Sequence, residues 1–339
     1  VTGESDFYTY NEIITQPNAW QAAIDLARGL TLPPAETYEH VLFTGCGSTF
    51  YLSLAAATLY QELTGRPARA VPAGELLLNP QTVLTRQTML LVAISRSGTT
   101  TETLKAVEKF KAGKHGNVLA ITNYDSSLSA LGDISLVIIE GQENSVAQTR
   151  SFACMYLAAV TFCTLAAGRM DLLDAMPRLP GIGERMLQEF GSLARYIGEN
   201  LGYDRFFFLG SGSLYGLARE VSLKMTEMTL SQSGAFHFLE FRHGPMSMVD
   251  EKAVIVGMLS EKNASHEQAV LNEMQAKGGR ILSLAESSAD VSFDSGMQEC
   301  LRGVLYLPVL QLMAFYRSLA KGLNPDRPKH LEAVVTLDL

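Results

Sequence analysis

The sequence is poor in charge. Of its 339 residues only 18% are Asp, Glu, Lys or Arg, against about 25% in typical globular domains, and the shortfall implies that part of the surface is covered in an oligomer. Positive charge is the scarcer sign, with 27 Lys and Arg against 35 Asp and Glu and a formal net charge of -8. Nucleic acid or an anionic membrane therefore finds no general basic footprint, although a local anion site is not excluded. Cysteine is scarce too. Cys46, Cys154, Cys163 and Cys300 form no C-x-x-C pair, which excludes a disulfide framework and makes a reducing, cytoplasmic home the expectation. The first ten residues hold Glu4 and Asp6 but no basic stretch before an apolar run, so no secretory signal is expected. The six histidines form no H-E-x-x-H, and none stands near a cysteine at ligand spacing; no metal and no cofactor is implied. A G-x-S-x-G nucleophile motif is also missing.

Long apolar runs are rare. Ser151 to Gly168 carries no charge over nearly the length of a membrane span, but Ser151, Thr161 and Thr164 dilute it, so a buried helix is expected, and nothing else reads as a span. With 47% hydrophobic residues the chain is no disordered polymer, and its length suggests about two domains.

What the chain does contain is a repeat. From His40 it reads HVLFTGCGSTFYLSLAAATLYQ, an apolar strand, a Gly-rich turn and a long apolar helix. From Arg205 it reads RFFFLGSGSLYGLAREVSLKMTE, so that Gly45, Gly47 and Ser48 stand 165 residues before Gly210, Gly212 and Ser213, as Glu75 does before Glu240. Matches at one offset argue for two copies of one domain. Further strands are expected at Met89–Ser95, Asn117–Thr122 and Ile134–Glu140 in the first copy, and at Lys252–Leu259 and Gly279–Glu286 in the second, with a helix over Thr100–Lys111. Apolar strands alternating with helices describe a parallel sheet covered on both faces. Arg169 to Gly183, with two prolines and two glycines, reads as the linker between the copies.

Neither glycine loop fits a dinucleotide fingerprint, because Phe50 and Tyr215 stand where G-x-G-x-x-G needs its third glycine, and no Walker lysine follows. Each loop is open to two readings: a turn that offers amides and the hydroxyls of Ser48 and Thr49 to an anion, or glycines required only for tight strand-to-helix packing. The sharper motif is Ser95-Arg96-Ser97-Gly98-Thr99-Thr100, after an apolar strand and before a helix. Its hydroxyls suit a phosphate at a helix N-terminus; the alternative is an N-cap by Thr99 or Thr100 with Glu102 in the first turn. Glu220, Lys224 and Glu227 share one helix face at i, i+4 and i+7. Such spacing usually marks a solvated ion-pair face, yet apolar neighbours make a catalytic carboxylate, steadied by lysine, suited to proton transfer between adjacent carbons of a sugar. His243, in Arg242-His243-Gly244-Pro245, is either a turn histidine or an acid and base.

These residues resemble the double sugar isomerase (SIS) domain family, in particular the isomerase portion of glucosamine-6-phosphate synthase and stand-alone deaminase-like relatives. The resemblance runs from EIITQP at Glu12 to the VVTLD tail at Val334. It implies an α/β fold of two tandem domains, each a parallel five-stranded sheet in a three-layer α/β/α arrangement, over 1–168 and 184–322, with a tail, 323–339, that closes over the active site. The family's first glycine loop is similar to Cys46-Gly47-Ser48-Thr49, and its phosphate-gripping S-x-S-G-x-T to Ser95, Ser97, Gly98 and Thr100, with Arg96 inside it. Val146-Ala147-Gln148-Thr149-Arg150 resembles the segment that closes over the sugar. Glu220, Lys224 and Glu227 match E-x-x-x-K-x-x-E, with Glu227 in the place of the isomerising base, and His243 matches a ring-opening histidine that reaches the neighbouring subunit of a homodimer.

Two departures follow from the same resemblance. Ala333 occupies the place of the tail lysine that forms an imine in the synthase, and Lys329 is out of register. The chain also has no room for a glutaminase domain, so synthesis is not expected of this polypeptide. The reading is an enzyme that isomerises or deaminates a hexose or hexosamine 6-phosphate, first of all glucosamine 6-phosphate to fructose 6-phosphate and ammonia. Alternatives are an aldose-ketose phosphosugar isomerase, a fructosamine-6-phosphate deglycase, or a non-catalytic phosphosugar-binding regulator.

Overall fold

The computed structural model describes residues 3–332, 334 and 337. Contacts divide the chain into two compact units: an N-terminal one of Asn18–Glu143, Arg150–Pro177 and Glu332–Leu339, and a C-terminal one of Val1–Pro17, Asn144–Thr149 and Arg178–Leu331. The boundary cuts helix α1 (Tyr8–Arg28) just after its internal Pro17.

The N-terminal unit runs β1 (His40–Gly45), α2 (Ser48–Thr64), β2 (Ala68–Pro72), α3 (Ala73–Leu78), α4 (Pro80–Val83), β3 (Met89–Ile94), α5 (Thr101–Ala112), β4 (Gly116–Thr122), α6 (Ser127–Leu131), β5 (Ile134–Val137), α7 (Arg150–Ala166) and α8 (Met170–Ala175). Its sheet has the order β2-β1-β3-β4-β5, and every pairing is parallel. All six residues of β3 are buried, as expected of a strand covered on both faces. On one face Leu91 and Val118 meet Val107, Phe110 and Leu128 from the helices.

The C-terminal unit repeats the plan with α9 (Leu179–Glu199), β6 (Arg205–Gly210), α10 (Leu214–Thr229), β7 (Gln232–Phe236), α11 (Phe238–Phe241), β8 (Ala253–Met258), α12 (Ala264–Ala276), β9 (Arg280–Ala285), β10 (Val291–Ser292) and α13 (Leu307–Ala320). Its parallel sheet has the order β7-β6-β8-β9-β10. The two copies thus share strand order as well as sequence, and two five-stranded parallel sheets flanked by helices are the architecture expected.

Three sequence expectations need correction. The proposed linker Arg169–Gly183 does hold a boundary between the units, after Pro177, but it is mostly helical: α8 begins at Met170 and α9 at Leu179. Pro180 stands in the first turn of α9, where a missing N–H costs nothing. The third strand candidate ends at Val137, and Ile139–Gly141 form a 3-10 turn. Finally, Ser151–Gly168 does lie in a buried helix, α7, but it is not alone: the helical stretch Glu299–Ala320 is long and apolar enough to cross a membrane and is packed inside. Arg302 and Arg317 masked it in the sequence. Both are buried, the first paired with Glu261 and Glu286, the second donating to the carbonyls of Asn200 and Tyr203.

Helices α9 and α13 pack at Gly198, where a Cβ would lie 2.4 Å from the Met313 carbonyl oxygen, whereas a Cβ at Gly191 meets nothing within 4 Å. Gly198→Ala should cost about 1–3 kcal/mol by overpacking, and Gly191→Ala should be neutral or stabilise by up to about 1 kcal/mol. Urea unfolding of the two variants checks this; equal effects would refute the close contact.

Candidate active site

In a parallel sheet every strand delivers its carboxyl end to one edge, and ligands enter where the strand order reverses. In the N-terminal unit that point lies between β1 and β3, flanked by the turns Gly45–Ser48 and Ser95–Thr100. Gly45 is needed for packing: a Cβ there would sit 2.7 Å from the Thr49 backbone and 2.9 Å from the Ile94 carbonyl oxygen. Gly47 is needed for the turn, with φ +55°, a region that favours glycine. Ser48 opens α2 and is 5% exposed. The Thr49 hydroxyl accepts from the Cys46 N–H at 2.9 Å and lies 3.0 Å from the Cys46 carbonyl, so it serves its own turn.

In the second turn Thr100 stands at the N-cap of α5, but its hydroxyl makes no cap hydrogen bond. It lies 3.2 Å from the Ser95 hydroxyl, which accepts from the Gly98 N–H at 3.2 Å. The Ser97 hydroxyl accepts from both the N–H and the hydroxyl of Thr99. The alternative reading, an N-cap by Thr99 or Thr100, is thus not what arranges these hydroxyls; they are organised around the turn. Gly98 has φ +65°, and a Cβ there would collide with Ser126. Arg96 is buried, with Nη1 3.2 Å from Oε1 of Glu143, itself fully buried, and Glu143 also accepts from the N–H and hydroxyl of Ser151. With the arginine neutralised in this way, the donors around the turn are neutral hydroxyls and amides. Glu143 was not singled out in the sequence, since a lone acid ahead of the Val146 segment carries no spacing signal.

The same turn of the C-terminal unit is filled by its own carboxylates. After β8, the N–H of Ser260 donates to Oε2 of Glu267 at 2.7 Å and its hydroxyl does so at 3.1 Å, while the N–H of Glu261 donates to Glu299 at 2.9 Å. Glu267 is buried, and burial raises its pKa. An incoming phosphate would meet negative charge there, which the neutral hydroxyls of Ser95–Thr100 in the N-terminal unit do not present.

The C-terminal unit holds the ionisable cluster. On α10, Lys224 Nζ lies 3.3 Å from Glu220 Oε1 and also pairs with Glu227. The solvated-face reading is excluded, because the side chains of Glu220 and Lys224 are 0% and 1% exposed; only Glu227, at 13%, reaches outward. Burial acting alone would lower the Lys224 pKa, but the two carboxylates outweigh it and hold the value above the ordinary one, so an ammonium persists at neutral pH. His243 is exposed on the turn after α11, its N–H donating to the Glu240 carbonyl at 2.9 Å. Gly244 follows with φ +124°, and Arg242 pairs with Glu273 of α12, Nε to Oε2 2.8 Å. Val146, Ala147 and Gln148 lie in the Asn144–Thr149 segment of this unit, which has no regular structure. Ala333 lies outside the described residues.

Lys224→Met leaves Glu220 buried without its ammonium, which should cost about 3–5 kcal/mol. Adding Glu220→Gln should recover part of that loss in urea unfolding; a single-variant loss within about 0.5 kcal/mol, as at surface positions, would show that the ion pairs carry no stability.

A family model described as the SIS domain matches residues 37–165 and 203–292. The glutamine--fructose-6-phosphate aminotransferase (isomerizing) of Methanothermobacter thermautotrophicus is 27% identical, with 99% of this chain and 58% of that protein covered. For the Pseudomonas putida enzyme of the same name the identity is 28%, with 88% and 52% covered. The chain therefore spans little more than half the length of these relatives. Among solved structures, a glucosamine-6-phosphate deaminase from Thermotoga maritima superposes with a TM-score of 0.82 at 26% identity, over 97% of this chain and 100% of that one. A tagatose-6-phosphate ketose/aldose isomerase from Escherichia coli shares the fold with a TM-score of 0.81 at 23% identity, over 98% and 97% of the two chains. The two matched segments enclose β1 to β5 and β6 to β10, the same two sheets that share one strand order, and the chain belongs to the SIS domain family.

Proposed function

We propose that the chain is an enzyme acting on a hexose or hexosamine 6-phosphate, and that its reaction converts glucosamine 6-phosphate and water to fructose 6-phosphate and ammonia. The observation that carries this reading is the α10 cluster: a carboxylate, Glu227, part-exposed and paired with a buried ammonium, has the form of a base held in one rotamer. A hydroxyl-lined turn at the N-terminus of α5, with no cap bond from Thr100, supports a phosphate as the remote handle. The relatedness to a glucosamine-6-phosphate deaminase supports the choice of amino sugar.

In this reading Ser48, Ser95, Ser97 and Thr100, with the amides of their turns, take the phosphate, and that remote binding energy positions C1 and C2. His243 opens the sugar ring by moving the proton between the ring oxygen and O1. Glu227 takes the C2 proton and returns it to C1 through an enolamine. The resulting C2 imine adds water and releases ammonia. Lys224 and Glu220 hold Glu227 in place. No lysine imine is required, in keeping with alanine at 333. We further propose a homodimer in which His243 completes the partner's catalytic machinery, in keeping with its exposure and with the low surface charge.

Purified protein given glucosamine 6-phosphate should release ammonia and fructose 6-phosphate in equal amounts, and Glu227→Gln should lower kcat by about 10²–10⁴ with little change in KM. Loss of the C2 proton by NMR without ammonia would replace deamination by isomerisation. Turnover unchanged in Glu227→Gln would remove the base from the mechanism.

Co-expression tests the dimer. Glu227→Gln and His243→Ala chains, each inactive as homodimers, should together recover about a quarter of wild-type activity if sites are shared across a two-fold axis. Recovery of none would place His243 in its own chain's site.

A further inference from the structure

The segment Asn144–Thr149 has no helix or strand, yet its backbone is held at both ends by buried side chains of its own unit. Glu12, on α1 and 4% exposed, accepts the N–H of Asn144 at 2.5 Å and that of Ser145 at 3.3 Å through Oε1, and the Ser145 hydroxyl through Oε2. The N–H of Val146 donates to the carbonyl of Asp326 at 2.9 Å. The Asp326 carboxylate accepts from the N–H of Tyr8 and from the N–H and hydroxyl of Thr9, at 2.7–3.0 Å, and so caps the start of α1. At the far end the Thr149 carbonyl accepts from Gln311 Nε2 at 3.4 Å, and Gln311 Oε1 accepts from Gln16 Nε2 at 2.8 Å. Thr149, Gln16 and Gln311 are all 0% exposed.

Glu12 and Gln16 are four residues apart on α1, hence on one face, and that face sets both ends of the segment. Glu12 directs these bonds to the two residues just before Val146. We propose that Glu12 is a positioning residue, whose carboxylate fixes the backbone that presents Val146, Ala147 and Gln148 to the sugar portion of the substrate. This rests on the reading above in one respect, that these three residues meet the sugar. The preorganised segment lets a substrate bind without first ordering it.

The test compares wild type, Glu12→Ala and Glu12→Gln in the full chain by amide hydrogen exchange and by calorimetric titration with fructose 6-phosphate and with inorganic phosphate. Glu12→Ala should raise exchange across 144–146 by about tenfold or more while the amides of β6 and β8 keep wild-type protection. It should weaken fructose 6-phosphate by about tenfold or more, as expected when a positioning contact is lost, and leave inorganic phosphate unchanged, because that probe needs only the turns of the N-terminal unit. Glu12→Gln, which keeps one acceptor oxygen, should restore most of both effects. Unchanged exchange at 144–146, or equal weakening of both ligands, overturns the proposal. If wild type takes no fructose 6-phosphate, the substrate reading fails, and the exchange comparison by itself decides the role of Glu12.

Discussion

In each unit the helix that follows the first strand meets that strand with no side chain between them. A Cβ on Gly45 would press into the backbone of Thr49, and one on Gly210 would lie 2.7 Å from the Leu214 carbonyl oxygen. This close approach brings the amino end of α2 or α10 over the carboxyl edge of the sheet. Everything chemical in the chain depends on that edge: the hydroxyl-rich turn before α5 in one unit and the helix that carries Lys224 in the other. The second glycine of each pair, Gly47 or Gly212, has a different task, since both have positive φ and open space around them.

The two copies share this backbone and use it in opposite electrostatic senses. In the N-terminal unit the turn after β3 keeps its hydroxyls for one another, and its arginine is neutralised by a buried glutamate. In the C-terminal unit Glu267 and Glu299 take the equivalent turn's amides, and the buried ionisable cluster lies on the body of α10. Such asymmetry is what duplication permits: one copy keeps a hydroxyl-lined turn, while in the other that turn is closed from within and the adjoining helix carries a lysine paired with two carboxylates. The cost of burying Glu220 and Lys224 is offset in part by the charge pairing of Lys224 with Glu220 and Glu227.

Much of the fold was legible beforehand. Apolar strands alternating with helices, and glycine turns at one offset, led to two parallel sheets; the strand order, the same in both units, came only with the structure. Strands β2, β7 and β10 went unread because they lie at sheet edges, where β2 and β7 have no fully buried residue and β10 is two residues long; without an apolar run there is no local signal. Proline misled at Arg169–Gly183, where its position in a first helical turn reverses its usual meaning as a breaker.

For the candidate residues the division is sharper. Spacing along one helix placed Glu220, Lys224 and Glu227 on a common face, because 3.6 residues per turn is a local property. Whether that face meets water or protein is not local, and only the folded chain shows Glu220 and Lys224 sealed inside with Glu227 at the rim. The hydroxyl motif Ser95–Thr100 was readable as an anion turn, but its twin after β8 contains Ser260 too, and nothing in the local sequence announces that Glu299 would take the N–H of Glu261 from a distant turn. Glu12 and Asp326 were unreadable for the same reason. Their partners lie more than a hundred residues away along the chain, and a carboxylate's role is set by the donors that folding brings to it. Local periodicity and turn chemistry thus determine elements and their order, whereas burial and long-range pairing decide which of the ionisable groups are left to act.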